Sequence, residues 1–289
     1  MADPDPNAAP AQFTDEQLSA RAAEPQDARR VMTQALAEVD KALAPLEIDY
    51  GELDLFVQGG YANRTAVNVQ SDVDIVVRWL GMPVSAETDD PDGDDARAYR
   101  LFRDAVVDAL RSRLDRGLRD PRIACRCELS TGHVDVVPCL PYRPATEPGR
   151  DDIWLWPDPY YDQAIISWPK LIHTLIETRD RETCGRFRPV VRALKGLRDE
   201  LSSGEDKVPS FVIESLTFAA GPHAMAAPAV SGRCRAVLAG LRDQLLDDTA
   251  ARCFTEPSGR SPLFGVADAP SPALDAAQGF VDEVWHRLG

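Results

Sequence analysis

Ser71-Asp72-Val73-Asp74-Ile75-Val76-Val77 decides the fold of this chain, and a second stretch, His133-Val134-Asp135-Val136-Val137, has the same pattern farther along. A β-strand points successive side chains to opposite faces, so Asp72 and Asp74 share one face. In the second stretch Asp135 lies opposite its flanking valines in the same way. If the two strands are neighbours in a sheet, three carboxylates meet on one patch.

Three crowded carboxylates cannot all stay ionised unless a cation is close to them. Magnesium is the natural candidate, because it prefers oxygen ligands and shares its coordination shell with substrate phosphates. Two such ions in one site support phosphoryl transfer. Asp-x-Asp patterns are also common in solvated strands. The preceding glycine turn and the third aspartate nevertheless favour a metal site formed by Asp72, Asp74 and Asp135.

A glycine pair, Gly59–Gly60, lies between the first predicted strand, 53–57, and the Asp-x-Asp strand, 73–78. Because the pair has no side chains, its backbone N–H groups can approach a phosphate closely, and a helix that begins there adds its positive end. An ordinary tight turn is the alternative. The position directly before Asp-x-Asp favours a phosphate-binding turn.

Composition argues against several classes of function. The net charge is −15, which disfavours long nucleic acid as a partner, because phosphate backbones are bound by excess Lys and Arg. No apolar run approaches the length of a membrane span, and the N-terminus lacks the basic start and apolar stretch of a signal peptide. The six cysteines lack zinc-finger spacing, which indicates reduced thiols in a cytoplasmic protein.

The pattern of elements predicts an α+β fold with two lobes and a cleft between them. Residues 1–13 are expected to be a disordered tail, 14–150 a lobe with a sheet and helices, and 151–289 a helical lobe. A helical pattern runs from Thr14 towards Leu43, where Pro25 is a kink or a break, and this helix can span both lobes. Strands at 122–129 and 134–139 are expected to form a hairpin. The proline-rich segment that follows is expected to be a linker or crossover.

The helix predicted at 187–201 has a basic stripe of Arg188, Arg192 and Lys195 opposite its apolar face. A solvated helix surface is the better explanation for Arg188. The small neighbours of Lys195 would let a phosphate approach, and the spacing leaves this residue open between the two roles.

A further helix is predicted to begin near Pro209, which is favoured in a first turn. Ser210 would then lie where a hydroxyl and free amides can bind an anion, and Phe211 could stack on a nucleobase. A helix cap and a core phenylalanine are the alternative, and the sequence alone favours that alternative.

The motifs G-G-Y-A-N-R-T, S-D-V-D-I-V-V and H-V-D-V-V-P resemble those of the DNA polymerase beta-like nucleotidyltransferase superfamily. Within it, the chain is most similar to the bacterial CD-NTases, relatives of cyclic GMP-AMP synthase and oligoadenylate synthase. Their helical-lobe motifs resemble R-F-R-P-V-V-R-A-L-K-G-L-R and V-P-S-F-V-I-E here. The resemblance implies a polymerase beta-like nucleotidyltransferase core, with a mixed sheet and helices, followed by a helical C-terminal lobe.

The resemblance also implies roles for individual residues. Asp72, Asp74 and Asp135 would bind two Mg²⁺ ions, which Mn²⁺ can replace, and Asp135 would help to deprotonate the attacking hydroxyl. Nucleoside triphosphates would be bound by Gln58, Gly59, Gly60, Asn63, Arg192, Lys195, Ser210 and Phe211. The product would be a cyclic di- or trinucleotide for antiphage (CBASS) signalling. Transfer to a small molecule, a protein or an RNA end is one alternative, and nucleotide binding without catalysis is another.

Two details of the chain bear on this resemblance. The family commonly has Gly-Ser where this chain has Gly59–Gly60, which removes a hydroxyl contact to phosphate worth about 1–2 kcal/mol. Because Gly-Gly also occurs in the superfamily, activity is still expected. The terminal Gly289 is a weak indication of a conjugation partner, because some such synthases are joined through a small terminal residue. A chance terminus is the better explanation.

Overall fold

A computed structural model describes residues 12–46, 50–68, 71–85, 90, 92–114, 118, 123–129, 132–144, 152–156, 164–201, 207–265 and 271–288. The chain forms two compact units. The sheet unit is Pro25–Thr174, and the helical unit combines Met1–Glu24 with Leu175–Gly289. Residues 1–11, predicted to belong to a tail, and Gly289 lie outside the described residues. Within the described ranges, no helix combines the length and the apolar composition needed to cross a bilayer.

The elements follow the sequence pattern closely. The strands are β1 (Leu53–Gln58), β2 (Val73–Trp79), β3 (Cys125–Leu129), β4 (Gly132–Tyr142), β5 (Asp152–Leu155) and β6 (Ile165–Ser167). The helices are α1 (Asp15–Ala22), α2 (Ala28–Leu43), α3 (Gly59–Ala62), α4 (Asp94–Leu114), α5 (Pro169–Glu182), α6 (Phe187–Leu201), α7 (Ser210–Ala219), α8 (Val230–Leu246), α9 (Asp248–Ala251) and α10 (Pro272–Leu288).

The described strands form one mixed sheet in the order β1-β2-β4-β5-β6, with β3 paired to β4. β1 and β2 are antiparallel, whereas β2 and β4 are parallel. β3 and β4 form the predicted hairpin, in which Cys125 lies opposite Val136. The predicted α+β class, a mixed sheet with helices and a helical C-terminal region, is therefore confirmed.

Strand β2 is packed on both faces along most of its length, which fixes its position in the sheet. Ile75 belongs to a core that includes Phe102 of α4. Val76 points to the opposite face and belongs to a second core with Trp154. Since a one-residue slip would exchange these two faces, burial specifies the register strongly. The same face as Val76 presents Asp74 nearer the start of the strand.

The segment that the sequence analysis interprets as a linker contains two strands, so that interpretation is wrong. β5 pairs with the end of β4, and β6 pairs with β5. Trp154 and Trp156 are buried in the second core and do not lie on the surface. Large aromatic side chains stabilise a sheet strongly through burial, which outweighs the turn-forming prolines nearby.

The N-terminal helical pattern is two helices, divided around Pro25 as the sequence allows. Thr14 caps α1 in a reciprocal capping box with Gln17, which confirms the predicted helix start. α1 belongs to the helical unit and α2 to the sheet unit.

Helix α6 is the central helix of the helical unit, and α1, α7 and α8 pack against it. It is buried on nearly its whole circumference, including its basic residues. The solvated interpretation of Arg188 is therefore wrong: the side chain is buried and its Nη1 lies 3.1 Å from Asp180 Oδ2. Spacing within the helix could not predict this, because the partner carboxylate belongs to α5.

Candidate active site

The sheet brings the predicted carboxylates to neighbouring positions. Asp72 directly precedes β2, Asp74 is the second residue of β2, and Asp135 is on β4. Asp74 and Asp135 are register partners on parallel strands, and Gln58 at the end of β1 is the register partner of Asp74. Side chains of adjacent residues in register share one face of a sheet. The convergence predicted from the two valine-rich stretches is thus present in the backbone pairing.

A guanidinium group joins two of these carboxylates. Arg126 on β3 is the register partner of Asp135, and its Nε and Nη2 donate to the Oδ1 and Oδ2 of Asp135, each at 2.8 Å. The same Nη2 also donates to Asp72 Oδ2 at 2.7 Å. Arg126 was not among the site residues predicted from the sequence. The available signal was the hairpin itself, because pairing Leu129 with Gly132 puts Arg126 opposite Asp135.

Burial and charge set the protonation of this cluster. Burial raises the pKa of Asp72, and the negative charge of Asp135 raises it further, while Arg126 and His133 oppose that rise. Arg126 donates hydrogen bonds to Asp135, and these raise the pKa of Arg126, so its guanidinium stays charged. Burial and the charge of Asp72 also raise the pKa of Tyr61, which keeps that phenol neutral. The cluster therefore contains a permanently ionised cation, the Arg126 guanidinium, beside the carboxylates.

The donor set suits a hard divalent cation. Carboxylate oxygens are the ligands that Mg²⁺ and Mn²⁺ prefer, and two of these carboxylates already share one cationic group. Within the described ranges, however, no three acidic, His or Cys side chains are gathered in a ready metal-ligand cluster. The three carboxylates Asp72, Asp74 and Asp135 fit metal binding if the Arg126 guanidinium moves off Asp72 and Asp135.

The glycine turn lies directly beside the Asp74 carboxylate. Gly59 has a φ of +66°, and a Cβ built on it would overlap Asp74 Oδ2. The Gly60 carbonyl accepts from the N–H groups of Thr65 and Ala66 at 2.8 and 3.0 Å, which closes the turn after α3. Gly59 thus allows the backbone to pass directly beside a catalytic candidate.

Asn63 is buried behind this turn. Its Oδ1 lies 3.1 Å from His173 Nδ1, and its backbone N–H donates to Gly59 O. These contacts give Asn63 a clear part in holding the turn. Its predicted contact with a nucleotide remains a prediction, as do those of Gln58, Gly59 and Gly60.

We expect Gly60→Ser to be accepted and to tighten triphosphate binding. A Cβ at Gly60 would meet Ala66 N at 3.5 Å, an ordinary contact, and the backbone there needs no positive φ. If the hydroxyl contacts a phosphate, the KM for the triphosphate should fall about five- to tenfold, as one charge-assisted hydrogen bond allows. Steady-state kinetics measure this, and Gly60→Ala supplies the Cβ without the hydroxyl. Identical KM values for the two variants would contradict the contact.

In the helical unit, the two basic candidates of α6 are buried. The Arg192 Nε donates to Ala22 O at 2.6 Å, so this guanidinium binds the last residue of α1. The Lys195 ammonium lies 3.3 Å from Glu214 Oε2 of α7, and both side chains are almost fully buried. These contacts are structural. Nucleotide binding by Arg192 and Lys195 remains a prediction.

Ser210 and Phe211 begin α7, and the interpretation as a cap and a core phenylalanine is wrong. Ser210 is the first residue of the helix and makes no cap; its Oγ accepts from Arg198 Nη1 at 2.6 Å. The same Nη1 donates to Val208 O at 3.1 Å. Phe211 is 45% exposed, so its ring is open to a partner. The sequence analysis missed Arg198, which holds this helix start.

We expect Glu214→Gln to destabilise the protein by about 3 kcal/mol, because removing one partner of a buried ion pair leaves its charge poorly compensated. Adding Lys195→Met to that variant should recover much of the loss, since the double change removes both charges from the same buried site. Urea unfolding of the wild type, the two single variants and the double variant gives the coupling free energy. Additive effects would contradict a direct Lys195–Glu214 interaction.

A mixed sheet that presents paired aspartates beside a glycine turn, followed in the chain by a helical domain, is an arrangement that suits nucleotidyl transfer. The model of the cGAS/DncV-like nucleotidyltransferase C-terminal helical domain matches residues 174–289. This match covers less than half of the chain and shows what its C-terminal helical region is similar to.

Several relatives are similar over much of the chain. The chain is 26% identical over 186 residues to a cyclic UMP-AMP synthase of Rhodothermus marinus, covering 58% of this chain and 63% of that protein. It is 24% identical over 273 residues to a cyclic dipurine nucleotide synthase of Elizabethkingia meningoseptica, covering 87% and 90%. The alignment to the Rhodothermus protein thus spans less than two thirds of its length.

A solved structure has the same fold. The Rhodothermus marinus CdnE c-UMP-AMP synthase, determined with Apcpp and Upnpp, superposes with a TM-score of 0.76 at 20% identity, covering 94% of this chain and 96% of that one. At this identity the similarity establishes the fold, and the chemistry has to be argued from the residues of this chain.

Proposed function

We propose that this protein synthesises a cyclic dinucleotide from two nucleoside triphosphates. The observation that carries the proposal is the register pairing of Asp74 with Asp135, beside Asp72 and directly behind the Gly59 turn. The match of residues 174–289 to the helical domain of nucleotidyltransferases supports nucleotidyl transfer, and the named relatives are synthases of cyclic dinucleotides.

Asp72, Asp74 and Asp135 would hold two divalent ions, Mg²⁺ or Mn²⁺. When bound, such ions neutralise charge on the triphosphate and favour in-line displacement. Asp135 would accept the proton of the attacking ribose hydroxyl. The oxygen of that hydroxyl would form a bond to the α-phosphate of the second nucleotide. The bond from that phosphate to the pyrophosphate leaving group would break. A second round closes the ring and releases a second pyrophosphate.

Nucleotide contacts complete the proposed site. In the sheet unit, the candidates for contacts with a triphosphate are Gln58, Gly59, Gly60 and Asn63. In the helical unit, the candidates for nucleotide contacts are Arg192, Lys195 and Ser210. The exposed ring of Phe211 supports stacking on a base, which is favourable for any nucleobase. The reaction would take place in the cytoplasm, and the product would serve as an antiphage signal.

The test is incubation of purified protein with Mg²⁺ and all four ribonucleoside triphosphates, followed by mass spectrometry. We expect a phosphatase-resistant cyclic dinucleotide and two pyrophosphates for each product. A cyclic trinucleotide would keep the chemistry and change the ring size. Label transferred to an added small molecule, protein or RNA end would favour the other acceptors, and triphosphate binding without pyrophosphate release would favour a non-catalytic regulator.

A further inference from the structure

Arg126 neutralises the carboxylates that the proposed metal ions need. Its guanidinium makes three charge-assisted hydrogen bonds, two to Asp135 and one to Asp72. The charge of Asp74 also acts on this guanidinium. The Oδ2 atoms of Asp72 and Asp135 therefore share one nitrogen, Nη2, in the position between them. The positive charge of the guanidinium therefore offsets the repulsion between the two carboxylates.

A divalent ion and the guanidinium compete for these oxygens. A metal ion of this class needs oxygen ligands at about 2.0–2.1 Å, and Arg126 already holds three of the four oxygens of Asp72 and Asp135 in charge-assisted hydrogen bonds. Two cations so close would also repel each other strongly in a partly buried site. Metal binding is therefore opposed for as long as Arg126 stays on Asp72 and Asp135.

The side chain of Arg126 is able to leave. It is 40% exposed, and β3 pairs with β4 at the side of the main strand order. A rotation about its side-chain bonds would release the carboxylates while the backbone ladder stays intact. The oxygens of a bound triphosphate would be suitable new partners, because guanidinium groups bind phosphate well.

We propose that Arg126 is an internal counter-ion that competes with divalent metal for Asp72 and Asp135 and transfers to the triphosphate when substrate binds. Metal then binds weakly to the nucleotide-free protein and more tightly after the triphosphate has given Arg126 other oxygens. By linkage, metal and triphosphate raise each other's affinity by the same factor. The transfer rests on the proposed function, whereas the competition for carboxylates depends only on the contacts of Arg126.

The competition is tested by calorimetric titration of nucleotide-free protein with Mn²⁺. We expect Arg126→Met to bind Mn²⁺ about tenfold more tightly than wild type or better, because at least one charge-assisted hydrogen bond no longer has to break. Arg126→Lys, which keeps the charge, should lie between the two. Lys170→Met is the matched control: Lys170 is similarly exposed and pairs with Asp54 in the same unit, at 2.9 Å. It should leave the Mn²⁺ affinity unchanged.

Thermal unfolding in EDTA shows that each variant is folded and gives a second readout. Without metal, Arg126→Met should lower Tm by a few degrees, because the crowded carboxylates lose their counter-ion. Mn²⁺ should then raise its Tm more than it raises that of the wild type. Unchanged or weaker Mn²⁺ binding by folded Arg126→Met and Arg126→Lys would overturn the competition.

The transfer is tested by repeating the Mn²⁺ titration with a non-hydrolysable nucleoside triphosphate present. A triphosphate ligates metal directly, so it should tighten Mn²⁺ binding in every variant. If Arg126 transfers, the gain should be several-fold larger in the wild type than in Arg126→Met. Equal gains would overturn the transfer. Product formation by the wild type is measured separately, so failure of the proposed function is distinguishable from failure of this inference.

Discussion

The double variant Asp72→Asn, Asp74→Asn should lose cyclic nucleotide synthesis by at least about a thousandfold. Each change removes a negative ligand from the site where the triphosphate charge has to be neutralised, and metal stabilisation of such transition states is worth several kcal/mol. The asparagines keep nearly the same volume, so the strand and its register should persist. Mass spectrometry of the products, and the rate of pyrophosphate release, measure the loss.

A matched control tests whether removing any carboxylate from this unit would cause the same loss. Asp108 on α4 is an exposed carboxylate of the same unit, paired with Arg111 at 2.8 Å. Asp108→Asn should retain full synthesis, since exposed pairs of this kind contribute little. The double variant should also unfold within a few degrees of the wild type. Product made by the folded double variant would show that Asp72 and Asp74 are not the ligands of the reaction.

Alternation along the strands was sufficient to predict the core of this site. The two-residue period separates Ile75 from Asp74, and the same period separates Val136 from Asp135. Burial of the apolar face then allows one register, and that register makes Asp74 and Asp135 partners. Local sequence therefore determines the side-chain directions, and the sheet needs only to make the strands neighbours.

Contacts between distant segments were harder to predict. Arg192 binds the carbonyl of Ala22, and Lys195 faces Glu214, so both of these residues of the basic stripe are buried, although the spacing puts the stripe opposite the apolar face. A buried charge needs a partner, but helical periodicity does not identify a partner 170 residues away. Arg126 lies between these cases, because its partner Asp135 follows from the register of a local hairpin.

The strands β5 and β6 were missed for a related reason. Prolines before and between them indicate a loop when read one by one. The decisive energy comes from Trp154 and Trp156, whose burial depends on Tyr99 of α4 and on the end of β4. Such packing is tertiary, and residue preferences for strands are dominated by this context.

At Gly59, two independent constraints exclude a side chain. The backbone adopts a φ of +66°, which non-glycine residues rarely do, and the space that a Cβ would take holds the Asp74 carboxylate. Gly60 is the adjacent glycine and has neither constraint, because a Cβ there makes only an ordinary contact with Ala66. Alanine substitutions at the two adjacent glycines therefore add the same methyl group, and only the one at Gly59 meets the Asp74 carboxylate and a positive φ.

Gly59→Ala should lower the rate of synthesis by about a hundredfold or more, because a displacement of about 1 Å at a reacting centre has costs of this size. The alanine would displace the Asp74 carboxylate from its place beside the turn, and it strains the turn by about 1–2 kcal/mol. Mn²⁺ binding should weaken in parallel, whereas Gly60→Ala should keep both activity and Mn²⁺ affinity near wild type. Steady-state kinetics, Mn²⁺ titration and urea unfolding of the two variants measure these effects. If Gly59→Ala and Gly60→Ala behave alike, Asp74 does not depend on the glycine for its position.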